Sequence, residues 1–380
     1  MNFDKLDRLL THLVEDKGVP GVEIAIHQGG NEIYRGFEGF ADREAERLHS
    51  GRDIYNLYSM SKVITCTAAL RLFEEGRFLM TDPLAAYIPE FANMTVRELD
   101  QKGNEVLRPA KKQITVADLF TMSAGLNYNY WNDATRKVQA ETDGRCPTRA
   151  FVGALASAPL QFEPGTHWNY SLCHDVLGGL IQVISGMTFG EYLKKNIFDP
   201  VGMPDTGFKI NEEQQSRLAG HYRFDDELGY AVRIEPRSSH FIGSEYESGG
   251  AGLFSTVADY MRFAESMTAG GVTPDGYRIL SKNTIDLMRT NHLDPVRMAD
   301  YDWIQLSGYG YGLGVRTMVD RTKGALSSIG EFGWDGAAGS WVLMDPSREL
   351  TVVYGQHMLN GLHPYILPRL RNVIYSCIES

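Results

Sequence analysis

Residues 54–69 read Ile54-Tyr55-Asn56-Leu57-Tyr58-Ser59-Met60-Ser61-Lys62-Val63-Ile64-Thr65-Cys66-Thr67-Ala68-Ala69, and the rest of the chain is organised around them. An apolar lead-in gives way to a predicted helix from about Met60 to Glu75, which Gly76 stops. Small residues on every side of that helix predict packing all round. Before it, Phe3, Leu6, Leu9, Leu10, Leu13 and Val14 recur at helical spacing. Residues 22–27 then alternate as a strand, Gly29-Gly30 turns the chain, and residues 32–37 return. From about 80 to 235 the signals are helical, including a capping box at Thr188-Phe189-Gly190-Glu191. A further helix starts at Thr256, and strands follow at Tyr309 to Val315, Trp341 to Met344 and Leu350 to His357. Tyr365 to Ile378 is helical in pattern.

The expected fold is therefore α/β of the α+β kind, an antiparallel sheet built from both chain ends and flanked by helices, with an inserted all-helical domain. Residues 1–78 and 236–380 form the expected α/β domain and residues 79–235 the helical one, with an active site in the cleft between them.

The chain has 380 residues, 43% apolar and 22% charged, which suits a soluble globular protein and excludes disorder. A net charge of −11 disfavours nucleic acid and anionic membranes as partners. No apolar run reaches the ~18 residues of a membrane span. Cys66, Cys146, Cys173 and Cys377 are scattered, so neither a disulfide framework nor a zinc knuckle is supported. The charged start MNFDKLDRLL lacks a signal core, and the expectation is a cytoplasmic protein.

Ser59-Met60-Ser61-Lys62 is the only S-x-x-K. A chain this long holds roughly one by chance, and alone it is a serine N-cap followed by an exposed lysine. Its position is more telling. Ser59 stands where a strand meets a helix, and residues three apart share a helix face, so Lys62 reaches the Ser59 hydroxyl. A serine needs a nearby base to become a nucleophile, and a packed helix would lower the lysine pKa by desolvation. Tyr170 is the second candidate, in His167-Trp168-Asn169-Tyr170-Ser171-Leu172 before a helix that Ser171 is expected to cap. Beside an ammonium its phenol would be stabilised as phenolate; as one of 19 tyrosines it is equally an interface aromatic. The third piece is Phe332-Gly333-Trp334-Asp335-Gly336-Ala337-Ala338-Gly339, where glycines permit close approach to a strand edge or simply form a hairpin turn.

S-x-x-K, the tyrosine motif and W-x-G, at these separations, resemble the serine β-lactamase and penicillin-binding-protein superfamily. The nearer resemblance is to class C β-lactamases and the family VIII carboxylesterases, with which the statin side-chain acyltransferases belong. Asp118–Leu126, Glu163-Pro164-Gly165, Asp175-Val176-Leu177-Gly178 and Ser248–Leu253 are also similar, so the resemblance spans most of the chain. It implies Ser59 as nucleophile, Lys62 and Tyr170 as base and proton shuttle, and the N–H groups of Ser59 and Ala337 as oxyanion hole. It also implies Trp334 in the substrate cleft, with Asp335, Gly336 and Leu172 as further substrate contacts.

Two departures narrow the activity. A β-lactamase would carry lysine at Trp334 and usually asparagine at Leu172. Losing each polar contact costs an anionic β-lactam about 1–3 kcal/mol and a neutral ester nothing. Asp335 points away by strand alternation, or faces inward and disfavours anions further. The expectation is a cofactor-free, metal-free serine hydrolase of small esters acting through an acyl-enzyme. The alternatives are acyl transfer, D-amino-acid peptide or amide cleavage, weak β-lactam hydrolysis, or an acylated sensor without turnover.

Other motifs are set aside. There is no G-x-S-x-G, Walker A or H-E-x-x-H. Gly308, Gly310, Gly312 and Gly314 predict a strand with one bare face. His167 and His174 are a weak zinc pair, and His240 and His357 receive no role. Asn127–Trp131 is a candidate cleft wall or a packed loop.

Overall fold

A computed structural model describes residues 1–235 and 242–378. His240 and the expected domain boundary at 235/236 touch on residues outside the described ones. The main sheet has ten strands among the described residues. Its spine uses β1 (Gly21–Gln28), β2 (Asn31–Asp42), β3 (Arg47–Leu48), β4 (Tyr309–Tyr311), β5 (Arg316–Met318), β6 (Phe332–Asp335), β7 (Gly339–Asp345) and β8 (Leu350–Leu359). The order is β4-β5-β6-β7-β8-β1-β2-β3, antiparallel throughout. The first and last thirds of the chain meet at the β1–β8 ladder, where Ala25 faces Val353. Gly29 and Gly30, with φ of +58° and +77°, make the tight turn into β2.

Strand alternation divides the side chains between two helical layers. Val22, Ile24, Ile26, Trp341, Leu343, Val352 and Tyr354 point to one face. There they meet Leu6, Leu10 and Leu13 of α1 (Asp4–Glu15) and Ile366, Leu370 and Ile374 of α5 (His363–Cys377). Ala25, Val342, Met344 and Val353 point to the other face, toward α2 (Ser61–Glu74) and α4 (Val257–Thr268). Helix α3 (Cys173–Ser185) packs on the far side of α2. Helix α2 is thus enclosed, with 11 of its 14 residues buried. Its small polar residues are satisfied at once: Thr65 donates to the Gly249 carbonyl at 2.7 Å and Thr67 to the Val63 carbonyl at 2.8 Å.

The segment expected to be all-helical also contains two hairpins. Thr95–Leu99 pairs with Glu105–Pro109. Tyr222–Asp225 pairs with Tyr230–Arg233 and extends the end of β8 in parallel through Met358 and Tyr222. Those last strands lie with the sheet, so the chain rejoins it before residue 236. Both hairpins are short and largely exposed, with none of the long apolar alternation that marks a core strand.

The glycine-alternating run is also not one strand. It breaks into β4 and β5 around a turn in which the Gly312 N–H donates to the Val315 carbonyl at 2.7 Å. The glycines serve close approach: at Gly314, with φ of +83°, a Cβ would lie 2.2 Å from the Cys66 sulfur on α2. The four cysteines are buried and unpaired. No single helix among the described residues is long and apolar enough to cross a membrane. Gly314→Ala should cost about 2–5 kcal/mol from backbone strain and overpacking together. The check is a fall in the urea midpoint at unchanged m value.

Candidate active site

Ser59 sits in a single 3₁₀ turn, Tyr58–Met60, between the short strand Ile54–Asn56 and α2. That strand is clamped by Phe254–Thr256. Tyr58 adopts φ of +46°, a left-handed conformation that costs a non-glycine residue about 1–2 kcal/mol. Its neighbours hold it there. The Asn56 side-chain oxygen accepts from the Tyr58 N–H at 3.1 Å, and the Tyr58 hydroxyl meets His221 Nε2 at 3.0 Å. Gly336 packs against the turn, where a Cβ would lie 2.2 Å from the Leu57 carbonyl.

Lys62, one helical turn on, is completely buried. Its Nζ donates to the Gly250 carbonyl at 2.7 Å and lies 3.1 Å from Ser59 Oγ and 3.3 Å from the Tyr128 hydroxyl. It also stands 4.5 Å from the Tyr170 ring centroid. Burial drives its pKa down to about 8, against the opposing pull of the Asp175 carboxylate. Asp175 lies behind, accepting from Tyr246 at 2.8 Å and Ser248 at 2.6 Å.

The Tyr170 hydroxyl accepts from Trp334 Nε1 at 3.1 Å and lies beside Ser59. Burial pushes its pKa upward, more than these contacts pull it down. Burial therefore works against the expected phenolate and favours the neutral phenol. Ala337 is exposed in the turn between β6 and β7, where the Gly336 N–H donates to the Ser340 carbonyl at 2.7 Å.

Ser59, Tyr170, Trp334, Asp335 and Ala337 open together onto a cleft of about 480 Å³, joined by Trp303 and His363. Asp335 faces this cleft and not the opposite side. A larger hollow of about 660 Å³, beside Gly30, Thr268 and Lys282, contains none of the sequence-predicted groups. Two predicted contacts fall elsewhere. Leu172 is 2% exposed and packs beside Leu126 and Leu155, away from the cleft. Gly336 supports the serine turn from behind and is not part of the cleft lining. Leu172, not Ser171, takes the position before α3, and the Ser171 hydroxyl turns inward to the Cys173 sulfur at 3.1 Å.

Sequence reasoning passed over Tyr128, Trp303, Asp175 and the Gly250 carbonyl as working parts. Tyr128 stood in the aromatic stretch, and Asp175 and Gly250 in motifs noted only for resemblance; Trp303 carried no signal. His167 bonds Asp300 at 3.0 Å, while His174 is buried beside Cys66, so the two histidines do not converge. Glu23, His49 and Asp53 come within 4.8 Å of one another. Arg35 and Arg47 already occupy the two carboxylates, at 3.0 Å and 2.5 Å, which makes this an ion-pair network.

The sequence profile of the Beta-lactamase family matches residues 6–371, and the chain belongs to that family. Protein Rv1367c of Mycobacterium tuberculosis is 32% identical, over 83% of this chain and 80% of its own. Esterase EstB of Burkholderia gladioli is 27% identical, over 98% of this chain and 95% of its own. Unliganded simvastatin synthase (LovD) from Aspergillus terreus shares the fold, with a TM-score of 0.82 over 99% of this chain and 98% of that one at 22% identity.

The lysine environment has a direct consequence. Between about pH 8 and 10.5 the unfolded chain still holds the Lys62 proton that the folded chain has lost, so its contribution to stability rises with pH across that window. Removing the Asp175 charge takes away the main force opposing desolvation. Asp175→Asn should move the Lys62 midpoint below about 8, as followed by heteronuclear NMR of the lysine side chain.

Proposed function

We propose that this protein is a serine hydrolase of small carboxylic esters, working through an acyl-enzyme on Ser59. The observation that carries the reading is the buried Lys62 amine 3.1 Å from Ser59 Oγ, with its pKa brought down to about 8. The Gly250 carbonyl can only accept, so one N–H of Lys62 is committed to it. A neutral amine keeps a lone pair, and Ser59 is positioned to donate to it. The likeness to esterase EstB over nearly the whole chain supports an ester as substrate.

In this mechanism Ser59 Oγ attacks the ester carbonyl as its proton passes to Lys62. The N–H groups of Ser59 and Ala337 receive the oxyanion. Tyr170, a neutral phenol beside Ser59, donates its proton to the departing alkoxide and regains one from Lys62. Water then attacks the acyl-enzyme, its proton passing along the same path to the departing Ser59 Oγ, and the acid is released. The cleft lies between the sheet-bearing ends of the chain and the inserted segment. Trp334, where a β-lactamase would hold lysine, leaves a substrate carboxylate without a cationic partner. The free cysteines and acidic surface fit a cytoplasmic, soluble protein acting on small molecules. An alcohol reaching the same acyl-enzyme would turn hydrolysis into acyl transfer, which an added alcohol would reveal as a new ester.

Wild-type protein should turn over p-nitrophenyl butyrate with saturation, and Ser59→Ala should lower kcat by about 10³-fold or more. Residual turnover near the wild-type rate would remove Ser59 from the mechanism. Because Lys62 acts only when neutral, kcat/KM should climb with pH through about 8 and level off above it. Lys62→Arg, permanently charged, should be inactive across the whole range.

A further inference from the structure

We propose that the cleft selects esters bearing a positively charged ammonium group, received by the Asp335 carboxylate and by the ring of Trp303. This rests on the esterase reading above and names its substrate class.

Asp335 ends β6 at the cleft wall and is 9% exposed. Its Oδ1 has no hydrogen-bond partner among the described residues. Among the described residues no cation hydrogen-bonds to its carboxylate. His363 Nε2 stands 3.9 Å from Asp335 Oδ2 and spends its contact on the Gly336 carbonyl at 2.9 Å. Arg316, on the adjacent strand, is buried against Glu331 at 2.9 Å, and its charge also reaches Asp335 without a hydrogen bond. Among the described residues, neither lysine nor arginine lines the cleft. A carboxylate so placed is poorly solvated and poorly paired, and a neutral substrate that displaced its remaining water would make both worse. A cation would relieve the same defect.

The aromatic walls fit the same ligand. Tyr170 and Trp303 centroids are 5.1 Å apart, Tyr170 and Trp334 5.8 Å, and Trp303 and Trp334 6.2 Å. Tyr170 and Trp334 stack on each other and Trp334 is buried, which leaves half-buried Trp303, set edge-on to Tyr170, as the ring whose quadrupole can attract an alkylammonium group. An apolar ester tail needs only the rings, and an anion is repelled by the carboxylate. An ammonium-bearing ester uses both.

The test compares butyrylcholine with 3,3-dimethylbutyl butyrate, its uncharged isostere, as a ratio of kcat/KM. Wild-type protein should favour the choline ester by about 5- to 30-fold. Asp335→Asn should bring the ratio close to one, and Trp303→Leu, at a half-buried loop position, should lower it independently if the first variant fails to fold. A wild-type ratio of one or less, or a ratio that neither variant changes, would overturn the inference while leaving the esterase reading intact. If no ester is turned over, the esterase reading fails and binding decides. Choline is then titrated against tryptophan fluorescence: binding that Asp335→Asn weakens sustains charge selection, and equal or absent binding in both proteins refutes it.

Discussion

The burial of one ammonium group governs this structure. Lys62 is held away from water in the first turn of a helix that is packed on nearly every side. Desolvation penalises its charge, and the Asp175 carboxylate and the Gly250 carbonyl limit that penalty. The balance leaves an amine that loses its proton near pH 8. A fully solvated lysine would remain an acid to well above pH 9. The small residues of α2 let neighbouring elements approach closely enough to exclude water from the lysine, so the helix composition is already part of the chemistry.

The serine depends on a second constraint, the left-handed backbone at Tyr58. Such a conformation persists only when its surroundings impose it. Here they come from distant parts of the chain: Phe254–Thr256 clamps the lead-in strand, His221 holds the tyrosine hydroxyl, and Gly336 presses on the Leu57 carbonyl. Gly336 thus acts on the nucleophile through packing, although the sequence pattern placed it among substrate contacts.

Much of this was legible beforehand, and unevenly. Elements with a strong period were read within a few residues: α1, the β1–β2 hairpin, α2 and the Thr188 capping box. The run from Tyr309 to Val315 was misread because alternating glycines imitate a strand, whereas Gly314 is required by the Cys66 side chain beneath it. The weak hairpins within residues 79–235 lacked an apolar stripe and gave no signal. Among site residues, Ser59, Lys62 and Tyr170 converge, while Leu172 belongs to the core of the inserted segment.

The sequence by itself determined the family, the spacing of the serine–lysine pair and the strongly periodic elements, because motif spacing and hydrophobic period are properties of the linear chain. Only the tertiary structure decided the desolvation of Tyr170, the direction of Asp335 and the arrival of Tyr128, Trp303 and Gly250. Each of these depends on what lies across space: burial sets which charges are tolerated, and strand register and loop path set which side chains share a cleft.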